Sequence, residues 1–236
     1  NLARALVSAI LKDSAICMSD KTNSSSQGRR RSDEKETGRV EAFSDGVLAI
    51  AITLLILEIK VPKIGELGST GLFAKLLSLW PSYFAFVMSF GTILVMWVNH
   101  HRIFRLVRTT SYPFLYWNGF LLLTITFLPF PTALLAEHLA GPEATVATAV
   151  YTMTSFVIAL AFNGVWRHLR LHPNLLLTSA DPDEIYCITK QYRFGPLLYL
   201  IAFGLAFVSV AASIGMCFAL AIFFAVASRP PERPST

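Results

Sequence analysis

Residues 39–57 read RVEAFSDGVLAIAITLLIL, a short polar start followed by a run apolar enough to cross a membrane. Charged side chains at such a position are costly to keep and are commonly functional. Arg39 and Asp45 lie about 240° apart around a helix axis, so they cannot pair with each other within one helix. We therefore expect both charges to be satisfied by other helices or by other subunits.

The composition of the whole chain indicates its class. Of the 236 residues, 54% are hydrophobic and only 15% are charged, whereas soluble domains carry about 25% charged residues. Several apolar runs approach or exceed the roughly 20 residues needed to cross a bilayer. We predict an all-α, polytopic membrane protein. The three cysteines, Cys17, Cys187 and Cys217, form no CxxC pair and no disulfide framework.

The apolar runs predict six transmembrane helices. The last two come from one run of about 35 residues, which as a single helix would be about 50 Å long and would exceed the hydrocarbon core. We therefore expect a break at residues 212–215, although one tilted helix giving five spans remains an alternative. The predicted spans are 40–60, 78–99, 112–136, 144–166, 193–210 and 213–228.

The distribution of lysine and arginine favours a cytosolic location for both termini. With that orientation, seventeen basic residues lie on the cytosolic side and three, Lys60, Lys63 and Lys75, lie opposite. The expected organisation is a largely disordered cytosolic tail over 1–38, a six-helix domain over 39–228 and a cytosolic tail over 229–236. The residues Asp181-Pro182-Asp183-Glu184 predict the start of a short amphipathic helix between the spans.

A second polar cluster ends the second predicted span on the same side of the membrane as the first. Asn99 and His100 can both hydrogen-bond a carboxylate, and the histidine is the natural partner for Asp45. We expect these three side chains to form one network. The remaining residues of that cluster are expected to lie in the headgroup region. His101 and Arg102 would reach it by snorkelling, and Trp97 would belong to the aromatic belt.

One face of the first helix carries a stripe at spacings of three and four residues, opposite Leu48, Ile52 and Leu55. Its polar member is Thr53, a hydroxyl at mid-membrane. The ordinary interpretation of that hydroxyl is a hydrogen bond to the carbonyl oxygen four residues earlier. The stripe consists of Gly46, Val47, Ile50, Thr53, Leu54 and Leu57.

The polar start and the helix after it resemble a known family. Arg-x-x-x-Phe-Ser-Asp at 39–45, leading into GVLAIAITLLILEIKVP, looks like the signature of the lysosomal potassium-channel family called transmembrane protein 175, and of its prokaryotic members in particular. Animal members carry two six-helix repeats, and this sequence holds one Phe-Ser-Asp. The resemblance thus implies a single-repeat homotetramer, with a pore lined by helix 1 of four subunits.

The resemblance also implies roles for individual residues. By position, Ile50 matches the family's hydrophobic constriction, and Leu54 and Leu57 match the next pore-facing layers. Thr53 matches a pore-helix threonine associated with ion selectivity. The motif residues match positions that hold neighbouring helices and subunits together near the cytosolic mouth: Arg39, Phe43, Ser44 and Asp45.

The resemblance therefore implies a potassium-selective or potassium-preferring channel in the plasma membrane of a prokaryote, with K⁺ as the permeant ion. No cofactor, metal or nucleic acid is expected, and the partners are other copies of the chain, the bilayer and monovalent cations. His168 and His172 are spaced for a metal, but neighbouring arginines disfavour one. An alternative is a secondary or proton-coupled transporter that uses Asp45 and His100 as a relay. An intramembrane enzyme would need paired catalytic groups that the spans lack.

Overall fold

The computed structural model describes residues 35–63 and 71–227. The predicted tails therefore lie outside the described residues, except for 35–38, which begin the first helix. Within the described ranges the structure is all-α, as predicted. These ranges contain no β-strand, and their one β-type pairing is an isolated bridge between Val107 and Leu176. The helices are α1 Lys35–Glu58, α2 Gly71–Ser78, α3 Trp80–Phe104, α4 Tyr112–Thr126, α5 Pro129–His138, α6 Ala144–Leu171, α7 Pro182–Arg193, α8 Gly195–Ala206 and α9 Val210–Ala227.

Four segments are long and apolar enough to cross a membrane: α1, α3, the α4–α5 pair and α6. The α4–α5 segment runs over Tyr112–His138 and is interrupted at Phe127 and Leu128, because Pro129 has no amide hydrogen to continue the helix. The last four residues of α1, Leu55–Glu58, tighten into a 3-10 turn.

The final apolar run forms a shorter hairpin of two helices, α8 and α9. A break was predicted at residues 212–215, but the structure places it at 207–209, and that prediction is wrong in position. The reason is Ser209, whose hydroxyl accepts a hydrogen bond from the amide of Ala212 (3.3 Å) and so caps α9. Ser213 instead lies inside the helix and donates to the carbonyl oxygen of Ala202 at 2.6 Å, which ties α9 to α8.

The predicted amphipathic helix between the spans is confirmed as α7. The carboxylate of Asp181 accepts a hydrogen bond from the amide of Asp183 (2.9 Å), and Pro182 occupies the first turn, where a missing amide costs nothing. Its buried residues, Ile188, Gln191 and Tyr192, face the membrane helices.

The two ends of the bundle are tied differently. At the end where α1 begins, the amide of Arg108 donates to the carbonyl oxygen of Leu175 (2.7 Å), and Thr37 donates to the carbonyl oxygen of Arg108 (3.3 Å). These bonds join the start of α1 to the α3–α4 and α6–α7 connections. At the other end, Lys60 forms an ion pair with Glu137 at the end of α5.

Helix α6 is the central element, and it packs against α4, α5, α8 and α9. It meets α4 in tight contact at Gly164, where the Trp117 indole lies directly on the backbone. A Cβ atom added at Gly164 would lie 2.3 Å from the nearest ring carbon of Trp117. The missing side chain is therefore what lets the indole lie between the two helices.

We expect Gly164→Ala to lower stability by about 1–3 kcal/mol, the usual cost of overpacking a filled interface. The measurement is thermal unfolding of the purified protein in detergent. Gly204→Ala in α8 is the matched control, because a Cβ there meets no atom within 4 Å. Equal melting temperatures for the two variants would contradict the packing described for Trp117.

Candidate functional site

Helix α1 has one face buried in its own subunit and one face exposed. Ser44, Leu48, Ala51 and Leu55 are fully buried, and they recur at spacings of three and four residues. The opposite face exposes large apolar side chains at similar spacings. Their exposed fractions are 66% for Phe43, 60% for Ile50, 41% for Leu54 and 70% for Leu57. A helix with this pattern packs on one side only within the subunit.

The exposed face also carries small residues between the large ones: Ala42, Gly46, Ala49 and Thr53. Small side chains let helix backbones approach closely and are enriched where membrane helices associate. Of the stripe predicted from the sequence, only Val47 is half-buried, since it packs against the subunit core. This face therefore combines bulky apolar layers with surfaces suited to close helix contact.

The Thr53 hydroxyl lies on the exposed face and donates to the carbonyl oxygen of Ile50 at 2.9 Å. The expected partner was the carbonyl oxygen four residues earlier, and the observed acceptor is three residues earlier. This local bond uses the hydroxyl hydrogen, so the oxygen lone pairs are free to accept from, or coordinate to, a group outside the helix.

Three buried polar side chains link the buried face of α1 to α3 and α4. Nδ2 of Asn118 donates to Oγ of Ser44 (2.9 Å), and Oδ1 of Asn118 accepts from Nε2 of His100 (2.9 Å). Ser44 donates in turn to the carbonyl oxygen of Val40 (2.9 Å). His100 also stacks on Phe104, with ring centroids 4.4 Å apart. The second ring nitrogen of His100, Nδ1, is buried and has no hydrogen-bond partner among the described residues.

The partner of Asp45 is Trp97, whose indole N–H donates to Oδ1 at 3.0 Å. The predicted pairing of Asp45 with His100 is therefore wrong, because the histidine is turned towards Asn118. The expectation that Trp97 serves in an interfacial belt also missed its hydrogen bond across helices. Glu41 lies one turn before Asp45 on α1. Its carboxylate is 2.9 Å from the ring of His101, which adds a second bond between α1 and α3.

Asn99 and Arg102 bind the amphipathic helix α7. The phenol of Tyr192 donates to Oδ1 of Asn99 (3.2 Å), and burial raises the pKa of Tyr192, which keeps the phenol protonated. Arg102 donates to Glu184 (3.1 Å) and Gln191 (3.3 Å). Arg102 is buried, so the prediction that it snorkels into the headgroups is wrong. The packing of α7 against the end of α3 supplies its partners.

Arg39 and Phe43 lie on the exposed face at the start of α1. Arg39 makes no ion pair with any residue of the described ranges. Phe43 is the first bulky residue of the apolar face. Both were expected to hold neighbouring helices or subunits together, and within one subunit they remain exposed.

The two histidines considered for a metal stack on each other with ring centroids 4.3 Å apart. His172 donates to the carbonyl oxygen of His168 (2.9 Å), and His168 lies 3.3 Å from the hydroxyl of Ser111. Over the described part of the chain, no group of three histidine, cysteine, aspartate or glutamate side chains is positioned to hold a metal ion.

Sequence reasoning did not identify Asn118, the residue that joins Ser44 to His100. The sequence did contain a signal for this residue. An amide side chain within the apolar run after Tyr112 must find hydrogen-bond partners inside the protein. Glu184 was placed at the start of a helix, but its pairing with Arg102 depends on how α7 lies against the bundle. The sequence alone carries no sign of that arrangement.

Comparison with known proteins gives consistent matches. The family model described as endosomal/lysosomal potassium channel TMEM175 matches residues 39–129. A protein named a potassium channel from Chamaesiphon minutus is 60% identical over 83% of this chain and 97% of its own length. Another protein so named, from Streptomyces collinus, is 43% identical over 80% of this chain and 91% of its own length.

A solved structure also matches. It is the crystal structure of a lysosomal potassium-selective channel TMEM175 homolog from Chamaesiphon minutus. The identity is 58%, the TM-score is 0.76, and the match covers 83% of this chain and 100% of that chain.

We predict that Ser44 and Asn118 act as one unit. In a double-mutant cycle, Ser44→Ala and Asn118→Ala should be non-additive by about 0.5–3 kcal/mol, because the two side chains share a hydrogen bond. Asn118→Ala alone should cost about 1–3 kcal/mol, since it leaves His100 buried with both nitrogens unpaired. Unfolding of the four proteins in detergent gives the coupling energy. Additive effects would contradict the network.

Proposed function

The chain belongs to the TMEM175 potassium-channel family, and on that basis we propose that it is itself a potassium-selective channel. We propose a homotetramer in which four copies of α1 surround the ion pathway. The observation that supports this most strongly is the unpartnered face of α1, with Phe43, Ile50, Leu54 and Leu57 exposed in the subunit. Four copies related by cyclic symmetry would bring these faces to a common axis.

The ion pathway proposed here has a hydrophobic constriction at Ile50. Four isoleucine side chains in a ring oppose the hydration of an ion and can close a pore by dewetting. Leu54 lies about 6 Å further along the helix axis, and Leu57 follows on the same exposed face. From Ile50 to Leu57, the apolar layers would therefore extend over about 10 Å of the pathway.

Selectivity in this proposal arises beside the constriction, at Thr53. Its hydroxyl lies on the exposed face, and its hydrogen is already used by the carbonyl oxygen of Ile50. Four such oxygens could replace part of the hydration shell of K⁺ where the pathway is narrow. No acidic residue stands between Asp45 and Glu58, so the pathway carries no charged ring at this depth.

The proposed topology has six spans and both termini in the cytosol, in the plasma membrane of a prokaryote. The four long segments supply four of these spans. The α8–α9 hairpin supplies the other two, and its helices are shorter than a typical span. The end where α1 begins carries Arg102, Arg105 and Arg108, and the end with Lys60 carries few basic residues, as expected for a cytosolic and an external side.

A proton relay from Asp45 to His100, on which the transporter alternative depended, has no support in the geometry. The two side chains bond to different partners, Trp97 and Asn118. The bonds instead suit a holding role, because they fix which face of α1 points away from the subunit.

The role of Asp45 in assembly is testable. We expect Asp45→Ala to remove a charge-assisted hydrogen bond worth about 1.5–3 kcal/mol and to loosen α1 against α3, which weakens the tetramer in detergent. Trp97→Phe should have the same effect from the other side of the bond. Glu58→Ala removes a carboxylate from the opposite end of α1 and is the matched control. Size-exclusion chromatography with light scattering gives the assembly state. An Asp45→Ala protein that stays tetrameric and conducts normally would contradict this role.

The pore assignment is tested by Ile50→Asn. An amide at the constriction should hydrate the pathway, so K⁺ flux into proteoliposomes should rise and discrimination against Na⁺ should fall. Thr53→Ala should change discrimination more than stability, because it removes a hydroxyl and little volume. Ile52→Asn is the matched control. Ile52 packs against the subunit core, so there the amide should destabilise by about 1–3 kcal/mol without altering selectivity.

A stable Ile50→Asn protein with unchanged flux and unchanged selectivity would contradict the constriction. Destabilisation of Ile50→Asn to the extent seen for Ile52→Asn, with permeation unaltered, would contradict the placement of this face in the pore.

A further inference from the structure

A groove of about 910 Å³ lies between the end of α6, the second turn of α4 and helix α7. We call it the basic groove, and its principal lining residues are Trp117, Phe120, Leu160, Arg167, Arg170 and Arg193. It is on the outer surface of the subunit and is separate from the exposed face of α1.

Among the described residues, the lining of the basic groove carries positive charge and no negative charge. Arg167, Arg170 and Arg193 all line it, and no aspartate or glutamate does. None of the three arginines forms an ion pair with an acid of the described ranges. Arg193 lies over the ring of Phe194 at 5.6 Å, a contact that leaves its guanidinium hydrogens available. All three guanidinium groups are exposed at one opening, where they can donate charge-assisted hydrogen bonds to a phosphate.

The opposite wall of the groove is apolar. Trp117 lies on the backbone of Gly164, and its ring meets Phe120 edge-on at 6.3 Å. Phe120 and Leu160 are both more than two-fifths exposed, and they lie nearer the middle of their helices than the arginines do. Trp166 closes the floor, with its indole donating to the Thr189 hydroxyl at 3.0 Å. Along the helices, the groove therefore passes from a basic end to an apolar end.

We propose that the basic groove binds an anionic phospholipid, with the phosphate on Arg167 and Arg193 and the acyl chains against Phe120 and Leu160. A free phosphate matches the arginines but leaves the apolar wall uncovered, so the gradient favours the lipid. Basic pockets between membrane helices on the cytosolic side are suited to such headgroups. The proposal goes beyond the channel activity, and its assignment to the cytosolic leaflet rests on the topology proposed above.

The test measures lipid retention rather than conduction, so its outcome is independent of whether the protein conducts potassium. Full-length protein in detergent is titrated with phosphatidylglycerol or phosphatidylcholine, and native mass spectrometry counts the lipids bound to each assembly. We expect preferential retention of phosphatidylglycerol. Each arginine near the headgroup should contribute about fivefold in affinity, so Arg167→Gln/Arg193→Gln should lose about 25-fold for phosphatidylglycerol.

Arg105→Gln is the matched control, because it removes the same charge from an exposed position at the same end of the bundle, outside the groove. It should leave retention of phosphatidylglycerol unchanged. Arg167→Lys/Arg193→Lys keeps the charge and should retain more of this lipid than the glutamine pair. If the double glutamine variant does not assemble, Arg193→Gln alone should still lose about fivefold.

Three results would overturn the proposal. The first is equal retention of phosphatidylglycerol and phosphatidylcholine by the unmodified protein, and the second is unchanged retention by the glutamine variants. The third is displacement of phosphatidylglycerol by millimolar inorganic phosphate, which would assign the arginines to a free anion.

Discussion

One face of α1 stays exposed in the subunit, and hydrogen bonds at the start of the helix hold it in that orientation. In the subunit this helix buries Ser44, Leu48, Ala51 and Leu55 and leaves an equally regular apolar face uncovered. Lipid could cover such a face, but small residues alternate with large ones along it, which suits close approach of another helix. The subunit thus leaves this face of α1 uncovered, and we propose that other copies of the same chain cover it.

The polar side chains at the start of α1 fix how that face is turned. Ser44 is held to α4 through Asn118, while Asp45 and Glu41 are held to α3 through Trp97 and His101. In an apolar surrounding, a helix that is apolar on every face could rotate about its axis at little cost in free energy. Hydrogen bonds formed in only one rotation remove that freedom, since an unpaired buried group is costly. The polar start of the helix therefore determines the position of the apolar residues beyond it.

Much of this arrangement could be predicted from the sequence, and the failures have physical causes. Composition and run length are sufficient to predict an all-helical membrane protein, and the Asp181-Pro182 signal located α7. The hairpin break was misplaced because Ser209 and Ser213 look alike in sequence, and only the three-dimensional contacts show which one caps a helix. His100 was predicted to pair with Asp45 only because the two residues lie at the same level of the membrane. Its partner in the structure is Asn118, and that pairing depends on the rotation of α3 and α4, which the spacing of apolar residues alone does not reveal.

We propose that the exposed face of α1 lines a pathway shared by four subunits. Silver ions, which are close to K⁺ in size and react with thiols, can show which residues of α1 face that pathway. Single cysteines are introduced along α1 in a chain whose own three cysteines are replaced by alanine, and K⁺ flux is followed as silver is added. We expect rapid block for cysteines at Ile50, Thr53, Leu54 and Leu57, and none at Leu48, Ala51 and Leu55. Block at both sets, or at neither, would contradict it.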